Sequence, residues 1–135
     1  MKDIVIFSWA SLISFLGWFF GGLNGALTLL IVLSVIDYLS GVCVGCCEHN
    51  ISNSVGFRGI ARKCLMFAFI GVANLIDRYM VGENAATKVI VCLFYISNEG
   101  ISILENAHKL GLPIPKILSQ YFSNMNKKNN NKTVK

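Results

Sequence analysis

Three acids stand where their surroundings are apolar: Asp37, Glu99 and Glu105. Carboxylates can serve as general acids and bases, as metal ligands or as ion-binding groups, and each role needs partners at defined spacing. Those partners are missing from this sequence. It has no GxSxG, no HExxH and no phosphate-binding glycine loop, and His108 has no nucleophile to serve, so the chain does not read as an enzyme. Cys43, Cys46 and Cys47, with His49, look at first like a metal cluster. Zinc needs four ligands, or three and a water, and no second Cys/His pair follows at the usual spacing. Cys64 and Cys92 stand alone in apolar runs. The thiols read as small buried side chains, and neither a metal nor a cofactor is expected.

The acids make more sense as part of a stripe. On a helical wheel Tyr95, Asn98, Glu99, Ser102, Glu105, Asn106 and Lys109 fall within an arc of about 120°, with Ile96, Ile103, Leu104 and Leu110 outside it. In a soluble protein that arc would be the solvated side. Flanked by membrane-like sequence, it is expected to face a bundle interior, a water-filled lumen or the interface. Asp37 shares a helix face with Gly41 and Gly45, and small residues four apart let helix backbones approach closely. Gly17, Gly21 and Gly25 repeat the spacing. Asp37 is expected to be paired with a polar group, or protonated, because a lone carboxylate is unfavourable in hydrocarbon.

The elements that must position these residues follow from composition. The chain has 135 residues, 54% hydrophobic and 14% charged, against about 25% charged in ordinary soluble domains. Its length leaves room for one domain. The net charge is +5, yet six lysines follow Glu105 with no acid among them, so the rest of the chain is slightly acidic. A basic tail on an apolar body is not a nucleic-acid-binding face, and nucleic acid is not an expected partner.

Residues 4–36 carry no charge. As one helix they would extend about 50 Å, against a hydrocarbon layer of about 30 Å, so the run must break. Gly21, Gly22, Asn24 and Gly25 supply the break, giving spans at 4–20 and 26–47. A cleaved signal peptide is disfavoured by Asp3 and by the hydrophobicity that continues beyond any cleavage point. In the second span Asp37 costs about 2.5–3.5 kcal/mol, offset by many Leu, Ile and Val that each return about 0.3–0.6 kcal/mol. Residues 48–63 read as a connecting loop with a basic end at Arg58, Arg62 and Lys63. A third span is expected at 64–81, with Asp77 and Arg78 near an interface, and a fourth, amphipathic one at 89–107. Four spans would leave the basic loop, the basic tail and the N-terminus all cytoplasmic. Two spans followed by two surface-lying segments satisfy the charges equally well.

The segments VIDYLSGV (35–42), SNSVGFRGIARK (52–63) and FYISNEGISILENAHKLGLPIPKIL (94–118) resemble the bacteriophage holin family of Gram-positive phages, which includes the clostridial toxin-release holins. The matching positions are Asp37, Gly41, Gly59, Lys63, Asn98, Glu99, Ser102, Glu105, Asn106, Pro113 and Pro115. The resemblance implies a small cytoplasmic-membrane protein that accumulates, homo-oligomerises and opens lesions through which an endolysin or a large toxin leaves. The expected fold is all-α: multi-pass transmembrane helices, four in number with the fourth amphipathic, and a disordered basic C-terminal tail. The expected division is a transmembrane domain over 1–118 and a polar tail over 119–135. The lipid bilayer and further copies of the chain are the expected partners, Asn98, Glu99, Ser102, Glu105 and Asn106 the expected polar or lumen face, and Gly41 and Gly45 the expected helix-packing positions.

Overall fold

The computed structural model describes residues 1–48, 53–82 and 86–130, and these are helical apart from short turns. Helix α1 covers Lys2–Phe20, α2 Gly25–Cys47, α3 Asn53–Ile76, α4 Thr87–Lys109 and α5 Lys116–Asn130, with a π-helical turn at Asp77–Val81 prolonging α3. Three stretches are long and apolar enough to cross a bilayer: Gly25–Cys47, Gly56–Val81 and Thr87–Lys109. The apolar part of α1, Ile4–Phe20, is shorter, about 26 Å at 1.5 Å per residue.

The first break falls where glycine and asparagine place it. Gly21 adopts φ 67°, a left-handed conformation that ends α1, and the Gly22 N–H bonds back to the Gly17 carbonyl at 3.0 Å. Asn24 then opens α2, its side chain accepting the Leu27 N–H at 2.8 Å.

The third helix starts earlier than the sequence suggests. Residues 53–63, expected to be loop, belong to α3, and 49–52 lie outside the described residues. Gly56 and Gly59 weaken local helix propensity, by about 1 kcal/mol each relative to Ala. The helical register nevertheless delivers Lys63 into the bundle, where its ammonium meets Asp37 and Glu99.

The core is made by three helices: Leu27 and Leu30 of α2, Met66 and Ile70 of α3 and Cys92 of α4 pack together, ringed by Phe20, Phe67, Val91, Tyr95 and Ile96. The α2–α4 pair is the most extensive, with α3 packed on α4. Helices α2 and α4 run in the same direction and α3 runs against them, so the ends of α2 and α4 and the start of α3 gather at one end of the bundle. Outside this core the surface is apolar, including Leu29, Val32, Val35, Ile36 and Leu39 of α2, Leu65, Phe69 and Val72 of α3, and Ile90, Leu93 and Phe94 of α4. Such a surface suits hydrocarbon rather than water.

Helix α1 joins this bundle only near its C-terminus. Asn74 of α3 donates to the Phe19 carbonyl at 3.0 Å, and a methyl group added to Gly71 would collide with the Phe19 ring, as one added to Gly21 would with the Asn74 amide. From Met1 to Trp18 the described side chains of α1 are exposed. An open groove of about 760 Å³ separates its Phe15–Leu16 stretch from α2 and α3, with walls from Val35, Tyr38, Ile60 and Phe67.

The chain beyond 118, expected to be disordered, is helical as far as Asn130; residues 131–135 lie outside the described part. Pro115 starts α5, its carbonyl accepting the Leu118 and Ser119 N–H groups at 3.0 and 3.1 Å, a position where the missing proline N–H costs nothing. Phe122 is buried and lies beside the His108 ring, 6.2 Å between centroids.

Candidate functional site

Two polar residues on α2, three apart, point at the bundle: Ser34 and Asp37. On α4 the corresponding pair is Glu99 and Asn106, two helical turns apart on one face. Between them stands Lys63 of α3. Its ammonium donates to Asp37 Oδ2 at 2.9 Å and to Glu99 Oε2 at 2.5 Å. Ser34 Oγ donates to the same Glu99 oxygen at 3.2 Å. The Asn106 amide donates to Asp37 Oδ1 at 3.3 Å and to Ser40 Oγ at 2.9 Å, and Ser40 in turn donates to the Asp37 carbonyl at 3.0 Å.

This is a closed network across three helices, and it is largely shielded. The side chains of Lys63, Asp37 and Glu99 keep 19%, 18% and 10% of their surface accessible. One lysine faces two carboxylates, so with every group ionised the cluster has a formal charge of −1, and the Ser34 and Asn106 donors share the excess. In a low-dielectric setting each of these charges alone would be unfavourable, and together they are tolerable.

The expected polar arc of α4 is thereby divided. Glu99 and Asn106 turn into the protomer, Ser102 is half-buried, and Asn98 is exposed. Glu105 pairs along its own helix with Lys109 at 2.9 Å. Gly41 lies beside Asn106, whose amide would stand 3.7 Å from an added methyl group, an ordinary contact. Gly45 is half-buried on α2. At Gly71, which the spacing argument did not single out, the Phe19 ring of α1 packs against the α3 backbone.

A second polar knot closes the opposite end. The Asp77 carboxylate accepts the Thr87 and Lys88 N–H groups at 3.0 and 2.8 Å, capping α4. The buried Lys88 ammonium donates to the carbonyls of Phe20 and Gly22, where α1 ends. Sequence reasoning placed Asp77 near an interface without its partner, and it missed Lys88. Among the described residues no three His, Cys, Asp or Glu are grouped to hold a metal. Cys92 is buried in the core, Cys43, Cys46, Cys47 and Cys64 are exposed, and His49 lies outside the described residues.

A sequence profile of the bacteriophage holin family matches residues 14–127, from the middle of α1 into α5 and across every member of the charged cluster. The chain belongs to the bacteriophage holin family. It is similar to a probable holin of Bacillus phage phi105, 36% identical over 109 residues that cover 81% of this chain and 80% of the phage protein. It is also 40% identical over 113 residues to the uncharacterized protein CPE0383 of Clostridium perfringens, covering 84% of each. A 14.9 kDa protein from the nagH 3′ region of Clostridium perfringens is 40% identical over 111 residues, 82% of this chain and 84% of that one. No solved structure matches the chain. As a family member with three helices long and apolar enough to span, this is a holin-like membrane protein.

Proposed function

We propose that the chain acts as a holin in full: it homo-oligomerises in the cytoplasmic membrane and opens lesions through which an endolysin or a large toxin leaves, with no catalytic step. The observation that carries this reading is the Lys63–Asp37–Glu99 cluster, polar surface folded into a protomer whose exterior is apolar. A single protomer holds these groups against each other. Oligomers that open the α2–α4 seam would turn Asp37, Glu99, Ser102 and Asn106 toward water, and the cost of exposing them to lipid disappears once they surround an aqueous path. Asn98 and Glu105 extend the same polar band along α4.

All four apolar helices cross the membrane in this reading, with α1 as a short span. Arg58, Arg62 and Lys63 near the start of α3 and the lysines following α4 then lie toward one end of the bundle, which the positive-inside tendency puts in the cytoplasm together with both termini. Gly41 and Gly45 serve as contacts between copies.

The alternative is a small ion-selective channel or transporter, which would also tolerate acids within the membrane, or a membrane partner protein that makes no hole. Leak size separates the three. Inducible expression in a bacterial host carrying a cytoplasmic reporter enzyme is the test: sudden loss of viability with the enzyme appearing outside supports a holin. Ion leakage without enzyme release supports a channel, and no leakage supports the passive partner.

A further inference from the structure

Helix α5 has two apolar edges, and the protein covers only one. Phe122 is 3% exposed, packed at the end of the bundle by His108, whereas Ile117 and Tyr121 are 80% and 57% exposed. On a helical wheel Ile117, Tyr121, Leu118 and Phe122 share an arc of about 140°. The burial of Phe122 therefore fixes the roll of the helix and holds Ile117 and Tyr121 outward. The sequence that carries them is one-sided in charge: Lys109, Lys116, Lys127, Lys128, Lys132 and Lys135 follow Glu105 without another acid. A second copy of so basic a segment would be repelled, and an anionic surface attracted.

We infer that α5 is an interfacial docking helix, lying on the anionic headgroups of the bilayer that the bundle spans, with Ile117 and Tyr121 inserted at the headgroup boundary. The geometry suits it. The segment holding Pro113 and Pro115 brings Phe122 of α5 back beside His108 at the end of α4, where a spanning helix reaches the membrane surface. A tyrosine places its ring among acyl chains and its hydroxyl among headgroups. Each lysine near an anionic surface strengthens attachment about fivefold, and Lys116 stands at the start of α5. This inference requires that the chain span the membrane. It does not require lesions, because a chain that opens none would dock α5 equally well.

Photocrosslinking of the full chain in vesicles tests it, with p-benzoylphenylalanine at position 117 or, separately, at position 121. Vesicles are made of phosphatidylcholine alone or of equal parts phosphatidylcholine and phosphatidylglycerol. The expected result is lipid adducts at both positions, more than tenfold stronger in the anionic vesicles at low salt and falling to the neutral level in molar salt. The Lys116→Gln, Lys127→Gln, Lys128→Gln variant should also fall to the neutral level. The salt series on the otherwise unaltered chain gives the same answer should that variant fold poorly. Equal lipid adducts in neutral and anionic vesicles, or adducts chiefly to a second copy of the chain, would overturn the inference.

Discussion

Replacing Lys63 by Met removes the one cation that Asp37 and Glu99 share while keeping a side chain of similar length. Taking away one partner of a buried ion pair costs about 3–5 kcal/mol, because the other partner is left uncompensated. The side chains here retain 10–19% of their surface, so the lower end applies, about 3 kcal/mol. At 1.4 kcal/mol per tenfold, that moves the balance between closed and open bundles by about 150-fold toward the open form. Lys63→Met should therefore bring lysis forward after induction, at an amount of membrane-inserted protein equal to that of the unaltered chain. The assay follows culture turbidity and external reporter enzyme against time, with immunoblots of the membrane fraction. Lys63→Met combined with Asp37→Asn and Glu99→Gln removes all three charges and leaves hydrogen-bonding groups in place. It should restore the closed bundle and delay or abolish lysis, since neutral replacements of a buried ion cluster are tolerated. Lysis by Lys63→Met at the unaltered time, with equal protein in the membrane, would refute the idea that the cluster holds the bundle shut.

Further expectations address the other contacts. Gly71→Leu should force the Phe19 ring aside, cost about 1–3 kcal/mol and lower Tm in detergent, and Phe19→Ala in the same chain should recover part of the loss. Asp77→Ala removes the α4 cap, worth about 0.5–2 kcal/mol, and hydrogen exchange at the Thr87 and Lys88 amides should accelerate while the Glu99 region keeps its protection. Glu105→Gln breaks only a partly exposed pair along one helix, worth about 0.3–0.5 kcal/mol, so lysis timing should stay unchanged where Glu99→Leu abolishes enzyme release. Ile at both Gly41 and Gly45 should shift chemically crosslinked ladders toward monomer, and an unaltered ladder would remove these glycines from the contacts between copies.

What could be read from the sequence depended on how far apart the cooperating residues lie. The α1–α2 break is local, decided by Gly21 and Asn24 within a few residues, and it falls where the glycine–asparagine pattern predicts. The polar character of the α4 face is periodic and was also visible. Its partner was not, because Lys63 lies 26 residues from Asp37 and 36 from Glu99, in a stretch whose glycines and charges imitate a loop. That Asp37 and Glu99 each needed a cation was a usable signal, and Lys63 is a base bordering the third apolar run. The role of Gly71 is not legible locally, because its neighbour, Phe19, comes from a separate helix. Helix α5 was hidden by its Asn and Lys content, which argues for disorder when the segment is taken alone. Its order comes from the Pro115 start and from burying Phe122 against the bundle.

The one-ended attachment of α1 gives the protomer two unequal cross-sections. Where α1 ends, Asn74 and Gly71 draw it against α3, and Lys88 ties α4 to the adjoining turn, so four helices are gathered at that level. Farther along, the groove beside Phe15 and Leu16 separates α1 from α2 and α3. Tapered bodies do not tile a flat sheet. In the proposed array of copies, either lipid must fill the wedges between them, or α1 must swing inward to make the sides parallel. The packing density of the array is therefore tied to the position of a single helix in each of its members.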